Sequence, residues 1–225
     1  MTQAVFFDVG DTLILGHPKL WLFPLLEQRG LQFDAQRTRE AIQAAYGAYN
    51  AHFQEAKDFE SALPLWRTFH RNMMRELGLE AHADEIADYL ADHWNDPSVW
   101  PLAPGAREVL EQLKAWGYRL AVVSNWDGML PSILEAIGLT RYFDYLAVSA
   151  LEGVTKPDPR IFQAALNALS VPPSATIHIG DSVEDVEGAK AAGITPILFD
   201  AYGRNPEALH DLRELLPLLK PERSI

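Results

Sequence analysis

Six polar residues stand where short apolar runs of the sequence end, and their types could do chemistry together. Carboxylates can act as nucleophiles or as hard ligands for Mg²⁺, serine can help to hold an oxyanion, and lysine supplies positive charge. Each residue alone is also explained as a turn former, a helix cap or a solvated side chain. Their occurrence at successive strand ends instead predicts one shared site. The six are Asp8, Ser124, Asn125, Lys156, Asp181 and Asp185.

The elements that would position these residues alternate along the chain as short apolar runs and amphipathic segments. This alternation predicts an α/β fold with a doubly wound parallel sheet, which binds its ligands at the carboxyl ends of the strands. The predicted strands are Ala4–Phe7, Arg119–Ser124, Tyr145–Ser149, Thr176–Ile179 and Thr195–Phe199. The predicted helices between and after them are Ala106–Trp116, Leu130–Ile137, Pro159–Leu169, Val183–Ala192 and Glu207–Leu218.

An early part of the chain departs from the alternation. From about residue 17 to about residue 96 the patterns are helical, with apolar positions three and four residues apart. The helices predicted there are Arg37–Phe53, Leu63–Leu77 and Ala83–Trp94, and the predicted linkers are Gly16–Lys19 and Asp96–Pro104. The sequence therefore predicts a core of residues 1–15 and 101–225 and an all-helical insertion of residues 16–100.

The amino-acid composition limits the kinds of binding partner that we expect. The net charge is −12, from 31 acidic and 19 basic residues, and without a basic run neither nucleic acid nor an anionic membrane is an expected partner. The chain has no cysteine and no stretch resembling a signal peptide, so we expect a cytoplasmic protein without thiolate chemistry. An acidic surface repels anionic substrates, so a site for one requires a local cation or a metal. The oligomeric state stays open.

Four short motifs resemble those of the haloacid dehalogenase superfamily. They are DVGDTL at the first strand, VVSN at the second, the lysine of TKPDP, and GDSVEDVEGAKAAG. The helical insertion after the first motif is similar to the cap of one subfamily. The resemblance implies a Rossmann-like core, a mobile cap and, in most members, Mg²⁺-dependent phosphoryl transfer, with carbon–halogen hydrolysis in a minority.

The resemblance also implies roles for individual residues, and their chemistry agrees. Asp8 is the expected nucleophile, which would form an aspartyl phosphate from a small-molecule phosphate ester. Ser124, Asn125 and Lys156 are expected to bind the phosphoryl group. The expected ligands of Mg²⁺ are Asp8, the Gly10 carbonyl and Asp181, while Asp185 would either ligate through water or orient Lys156.

One position departs from the family pattern. Phosphatases of this superfamily usually have a second aspartate two residues after the nucleophile, as a general acid and base, but here that position is Gly10. Asp11 is one residue later, and because strand side chains alternate in direction it should point elsewhere unless the turn is unusual. We interpret Asp11 as a structural residue of the turn, with a displaced acid/base as the alternative. Turnover is therefore expected to be slow.

Two other functions stay open on the same fold. One is a catalytically weak phosphate-binding or regulatory protein. The other is a dehalogenase, because those enzymes also lack the second aspartate and halide leaves without a proton. Dehalogenases have no need of a metal, however, and GDSVED keeps an acidic pair suited to one. A phosphatase-like hydrolase is the favoured function.

Overall fold

A computed structural model describes residues 2–221 of the chain, so positions 1 and 222–225 of the predicted core lie outside the described residues. Five parallel strands form one sheet in the order β3-β2-β1-β4-β5. The strands are β1 (Ala4–Phe7), β2 (Arg119–Ser124), β3 (Tyr145–Val148), β4 (Thr176–Gly180) and β5 (Thr195–Leu198). The predicted α/β fold with a doubly wound parallel sheet is confirmed, and each strand ends within one residue of its prediction.

Ten α-helices separate or follow these strands in the described sequence. They are α1 (Pro18–Gln28), α2 (Thr38–His52), α3 (Phe59–Glu76), α4 (Ala83–Asp92), α5 (Ala106–Ala115), α6 (Leu130–Ala136), α7 (Ser149–Glu152), α8 (Pro159–Leu169), α9 (Val183–Ala191) and α10 (Leu215–Leu219). None of them, within residues 2–221, combines the length and the apolarity that crossing a bilayer requires.

The strand order brings the candidate residues to one edge of the sheet. β1 is buried along its whole length and lies between β2 and β4, with Phe7 opposite Val122 on one side and Ile179 on the other. Directly after β1, the Asp8 N–H donates to the Ile179 carbonyl at 2.8 Å. Because parallel strands point the same way, the residues that follow β1, β2 and β4 meet at the same edge.

An apolar layer holds this sheet against two of its helices. Phe162 and Leu166 of α8 and Ala189 of α9 cluster with Phe6 and Val123 of the two central strands, and all five are buried. Burying each large apolar side chain contributes about 1.5–3 kcal/mol, so this layer fixes α8 and α9 firmly. The loops that carry the candidate residues therefore rest on a rigid support.

The chain divides into two compact units. The first consists of Met1–Leu15, Leu102–Asn125 and Gly138–Ile225, and it contains the whole sheet. The second consists of Gly16–Pro101 with Trp126–Ile137, and all its α-helices within the described residues are α1–α4 and α6. Residues 126–137, which the sequence predicts as part of the core, belong to this second unit. That residues 16–100 act as a cap stays a prediction.

A buried carboxylate organises the second unit. Asp127 is fully buried, and its Oδ2 accepts hydrogen bonds from the Tyr49 hydroxyl at 2.8 Å and the Trp66 indole N–H at 2.9 Å. Its Oδ1 accepts from the Met129 N–H at 2.8 Å. The next residue, Gly128, donates its N–H to the Ala56 carbonyl at 2.7 Å. These bonds tie the segment after β2 to the helices α2 and α3.

Two local predictions differ from the structure in their bounds. The predicted linker Gly16–Lys19 already contains the start of α1, because Pro18 suits the first helical position and the His17 ring caps it by accepting from the Lys19 N–H. The helix predicted over Glu207–Leu218 is absent from its first half. There Leu209 instead forms a bridge with Phe199, and its N–H donates to the Leu198 carbonyl at 2.9 Å.

Candidate functional site

The centre of the candidate site is the ammonium group of Lys156. This side chain is buried, and its Nζ lies 2.5 Å from Asp8 Oδ1 and 2.6 Å from Asp185 Oδ1. Burial alone would lower the pKa of Lys156, but the two carboxylates raise it above its ordinary value. Lys156 therefore stays positively charged and holds Asp8 in one orientation.

The backbone of Lys156 is held by the end of β2. Asn125 accepts from the Lys156 N–H through Oδ1 at 2.8 Å and donates through Nδ2 to the Lys156 carbonyl at 3.1 Å. On the other side of this loop, a Cβ added at Gly188 of α9 would lie 3.0 Å from the Pro157 carbonyl oxygen and 2.6 Å from the Phe162 ring. Glycine thus lets α9 approach both the loop and α8. The amide and the glycine together position the ammonium group.

Asp185 anchors Lys156, and its own oxygens are fully used. Oδ1 accepts from Lys156 and from the His178 ring, whose Nε2 is 2.7 Å away. Oδ2 accepts from the Ser182 hydroxyl at 2.6 Å and the Ser182 N–H at 3.2 Å. A carboxylate has about four acceptor sites, so these four bonds occupy them. Although burial opposes it, the charge on Lys156 lowers the pKa of Asp185.

The sequence at the end of β4 makes this close approach possible. A Cβ at Gly180 would lie 2.2 Å from Asp185 Cγ, so a larger residue there would displace the carboxylate. Ser182 is the N-cap of α9 and forms a reciprocal capping box with Asp185. Asp181 is therefore not the helix cap, which was the structural explanation for it.

Asp181 completes a cluster of three carboxylates. One oxygen each of Asp8, Asp181 and Asp185 lies within 4.8 Å of the other two. Burial, then the charges on Asp8, Asp11 and Asp185, raise the pKa of Asp181 to about 8, and Lys156 opposes this only in part. Burial also raises the pKa of Asp8. One ammonium does not balance these carboxylates, so hard oxygen donors with excess negative charge suit a divalent cation such as Mg²⁺.

The turn after Asp8 does not follow strand alternation. Asp11 has a φ of 52°, in the left-handed region, and Gly10 is not where the turn takes this conformation. The Asp11 carboxylate accepts a hydrogen bond from the Tyr202 hydroxyl at 2.6 Å. Its charge also contributes to the raised pKa of Asp181. The expectation that Asp11 points elsewhere rested on an alternation that this turn does not have.

The structure thus brings Asp8, Lys156, Asp181 and Asp185 together directly, and Asn125 joins them through the Lys156 backbone. Ser124 is the last residue of β2, buried at the neighbouring strand end.

Three residues of the site were missed by the sequence analysis: His178, Ser182 and Tyr202. Two of them left a local signal, because a histidine interrupts the apolar strand TIHIG and a serine stands three residues before an acidic one at a helix start. Tyr202 lies 191 positions from Asp11 and left none.

Comparison with known proteins gives consistent matches. The family described as haloacid dehalogenase-like hydrolase matches residues 2–193. The chain is 36% identical over 202 residues to haloacid dehalogenase-like hydrolase domain-containing protein 3 of Bos taurus, covering 85% of this chain and 79% of that protein. It is 33% identical over 180 residues to phosphoserine phosphatase of Thermus thermophilus, covering 77% and 70%. A dehalogenase crystal structure shares the fold with a TM-score of 0.74, at 23% identity over 98% of both chains.

Proposed function

The chain belongs to the haloacid dehalogenase-like hydrolases, and we propose that it is a Mg²⁺-dependent phosphatase acting through an aspartyl phosphate on Asp8. The observation that carries this is the cluster of carboxylates around Asp8, which has more negative charge than Lys156 balances. The similarity to a phosphoserine phosphatase also supports it. The proposed substrate is a small-molecule phosphate ester, whose dianion needs the local positive charge that the acidic surface lacks.

Asp8 is the proposed nucleophile. One of its carboxylate oxygens attacks phosphorus, the new O–P bond forms, and the bond from phosphorus to the leaving oxygen breaks. Water then attacks phosphorus, the bond to Asp8 breaks, and inorganic phosphate leaves with the carboxylate restored. Lys156 keeps its proton in both steps, so its positive charge faces Asp8 and the transferring oxygens throughout.

The proposed ligands of Mg²⁺ are Asp8, the Gly10 carbonyl and Asp181. When bound, Mg²⁺ would neutralise these carboxylates and withdraw charge from the phosphoryl oxygens. Asp185 could contribute only through water, and its four hydrogen bonds favour the other role expected for it, the orientation of Lys156.

The remaining site residues have supporting roles in the proposal. Ser124, at the strand end next to Asp8, would bind a phosphoryl oxygen together with Lys156. The side-chain amide of Asn125 is committed to the Lys156 backbone, so we propose that it serves the phosphoryl group through Lys156. Gly10 has no side chain to protonate the leaving group, and Asp11 is the candidate for a displaced acid/base.

The first experiment is a turnover panel. Aryl, acyl and alkyl phosphates are supplied to the purified protein with Mg²⁺ or with a chelator, and halide release from 2-haloacids is measured in parallel. Phosphate release that requires Mg²⁺ supports the proposal. Halide release that needs no metal would identify a dehalogenase, and binding of inorganic phosphate without turnover of any ester would identify a phosphate-binding protein.

The second experiment measures the metal directly, by titration calorimetry with Mg²⁺. Asp181→Asn is expected to weaken Mg²⁺ binding at least about tenfold, because it removes a charged ligand. Glu187→Gln is the matched control, since Glu187 is an exposed carboxylate on α9 and should leave the affinity unchanged. Equal affinities in the wild type and Asp181→Asn would refute the ligand set.

A further inference from the structure

An imidazole lies inside the apolar layer next to the candidate site. His178 is in the middle of β4, is fully buried, and meets the Phe162 ring edge to face at a centroid distance of 4.9 Å. Its neighbours Ile177 and Ile179 are apolar, as expected for a strand inside a doubly wound sheet. Burying a polar ring costs free energy unless its nitrogens are paired.

Within the described residues, one of the two ring nitrogens is paired and the other is not. His178 Nε2 lies 2.7 Å from Asp185 Oδ1, whereas the buried Nδ1 has no hydrogen-bond partner among residues 2–221. The Asp185 carboxylate only accepts hydrogen bonds, so the proton of this bond is on Nε2. An apolar residue of similar size would avoid the unpaired nitrogen. Fold stability alone therefore does not account for histidine at this position.

The Nε2–H bond of His178 helps to orient the Asp185 carboxylate. Asp185 Oδ1 is shared between His178 on β4 and Lys156, and Lys156 extends the chain of hydrogen bonds to Asp8 in steps of 2.7, 2.6 and 2.5 Å. Ser182 fixes the other oxygen of Asp185. With donors on both oxygens, the carboxylate cannot rotate, and the position of the lysine between two acids follows from it.

We propose that His178 is a positioning residue for phosphoryl transfer, which acts through Asp185 to hold Lys156 against Asp8. This inference rests on the proposed phosphatase function. Without the N–H donor, Asp185 Oδ1 loses one of its two hydrogen bonds, so this oxygen and the Lys156 ammonium shift relative to the proposed nucleophile. Charge stabilisation of the transition state depends on that placement more than substrate binding does, so the effect is expected on kcat rather than KM.

The test compares a donor with an apolar side chain at one position. His178→Leu removes the donor, and His178→Gln restores an N–H at similar reach. His70→Leu is the matched control, because His70 is also buried, lies against the aromatic rings of Trp66 and Phe69, and has an Nδ1 without a hydrogen-bond partner in the described part of the chain. Thermal unfolding and Mg²⁺ affinity are measured for every variant, so that loss of folding is separated from loss of positioning.

In His178→Leu, kcat on p-nitrophenyl phosphate is expected to fall at least about tenfold, in line with one lost hydrogen bond to a charged group. Its KM and Mg²⁺ affinity should change little. His178→Gln should recover most of kcat, and His70→Leu should keep it. A kcat equal to wild type in folded His178→Leu, or a His178→Gln as slow as His178→Leu, would overturn the inference.

A spectroscopic measurement on the wild-type protein does not depend on turnover. Long-range ¹H–¹⁵N correlation spectra report the tautomer of each histidine, and the His178 signals are assigned by their loss in His178→Gln. The inference requires a proton on Nε2, and a ring protonated on Nδ1 alone would contradict it. If the wild type hydrolyses no phosphate ester, the proposed function fails. The tautomer measurement still tests the hydrogen bond from His178 to Asp185 in that case.

Discussion

Each unit of the molecule contains a buried aspartate that accepts several hydrogen bonds, and the pKa values of the two are shifted in opposite directions. In the first unit, Asp185 accepts from Lys156, His178 and Ser182, and its pKa is lowered. In the second unit, Asp127 accepts from a tyrosine, an indole and a backbone N–H, and burial raises its pKa.

The difference comes from one positive charge. Desolvation raises the pKa of both carboxylates, and neutral donors offset only part of that rise at Asp127. At Asp185 the Lys156 ammonium adds a direct electrostatic attraction at 2.6 Å, which outweighs burial. The cation beside Asp185 therefore accounts for the opposite directions of the two pKa shifts. The hydrogen bonds of Asp127 with Tyr49, Trp66 and Met129 stabilise the packing of the second unit.

The largest effect is expected at Asp8, the proposed nucleophile, which also contacts Lys156. Asp8→Asn should lower turnover by at least about 10³-fold, because an amide is a poor nucleophile and cannot form an acyl phosphate by this route. This turnover is measured as release of p-nitrophenol from p-nitrophenyl phosphate. The protein is purified from a host whose background has been checked for contaminating phosphatase. Appreciable turnover by the variant would separate the Lys156 cluster from catalysis altogether.

The two aspartates can be compared by the same substitution. Asp185→Asn should reduce kcat by about 10²-fold, equivalent to roughly 3 kcal/mol for removing one partner of a buried ion pair. Asp127→Asn should leave kcat unchanged and lower the free energy of unfolding by about 1–3 kcal/mol, since an amide cannot accept all three bonds. Steady-state kinetics and urea denaturation measure the two quantities. Equal kinetic losses in both variants would break the distinction.

A carboxylate can also be added to the first unit, where we expect it to increase activity. Gly10→Asp should raise the rate on alkyl phosphates at least about tenfold, because positioned proton transfer is worth about 10²–10⁴. The left-handed φ belongs to Asp11, so a side chain at residue 10 does not meet that strain. Aryl phosphates, whose leaving groups need little protonation, serve as the control. If the folded variant gains nothing while Asp11→Ala abolishes activity, Asp11 is the acid/base.

The smallest expected effect is the pH dependence of stability, with opposite signs for the two residues. The raised pKa of Asp127 means that the folded protein holds the carboxyl proton more tightly than the unfolded protein does. The contribution of Asp127 to the free energy of unfolding is therefore fully present below the unfolded pKa near 3.8 and is lost as pH rises through the raised pKa. The lowered pKa of Asp185 gives a contribution that is present above 3.8 and lost as pH falls.

Urea titrations at several pH values measure this directly. The wild-type stability minus that of Asp127→Asn should decrease from pH 4 upward, and the wild-type stability minus that of Asp185→Asn should decrease from pH 5 downward. Neither slope can exceed about 1.4 kcal/mol per pH unit for one group. Slopes of the same sign would contradict the electrostatic account of the two sites.

The sequence by itself determined the strands and the positions of the candidate residues. Short apolar runs such as AVFF and LAVVS end at polar residues, and both the run and its end are local features of the chain. Parallel alternation then required the carboxyl ends of the strands to meet, which predicted Asp8, Lys156 and Asp181 as neighbours before any coordinates. The resemblance in four motifs added the family.

Only the tertiary structure decided how these residues are held. The bond between Lys156 and Asp8 spans 148 positions, and the one between Tyr202 and Asp11 spans 191, so no local pattern encodes either. The left-handed turn at Asp11 and the burial of His178 behind Asp185 likewise depend on packing between distant segments. A sequence pattern reports which side chains a strand end presents, whereas their hydrogen bonds, charges and pKa values are set by neighbours that folding alone brings within reach.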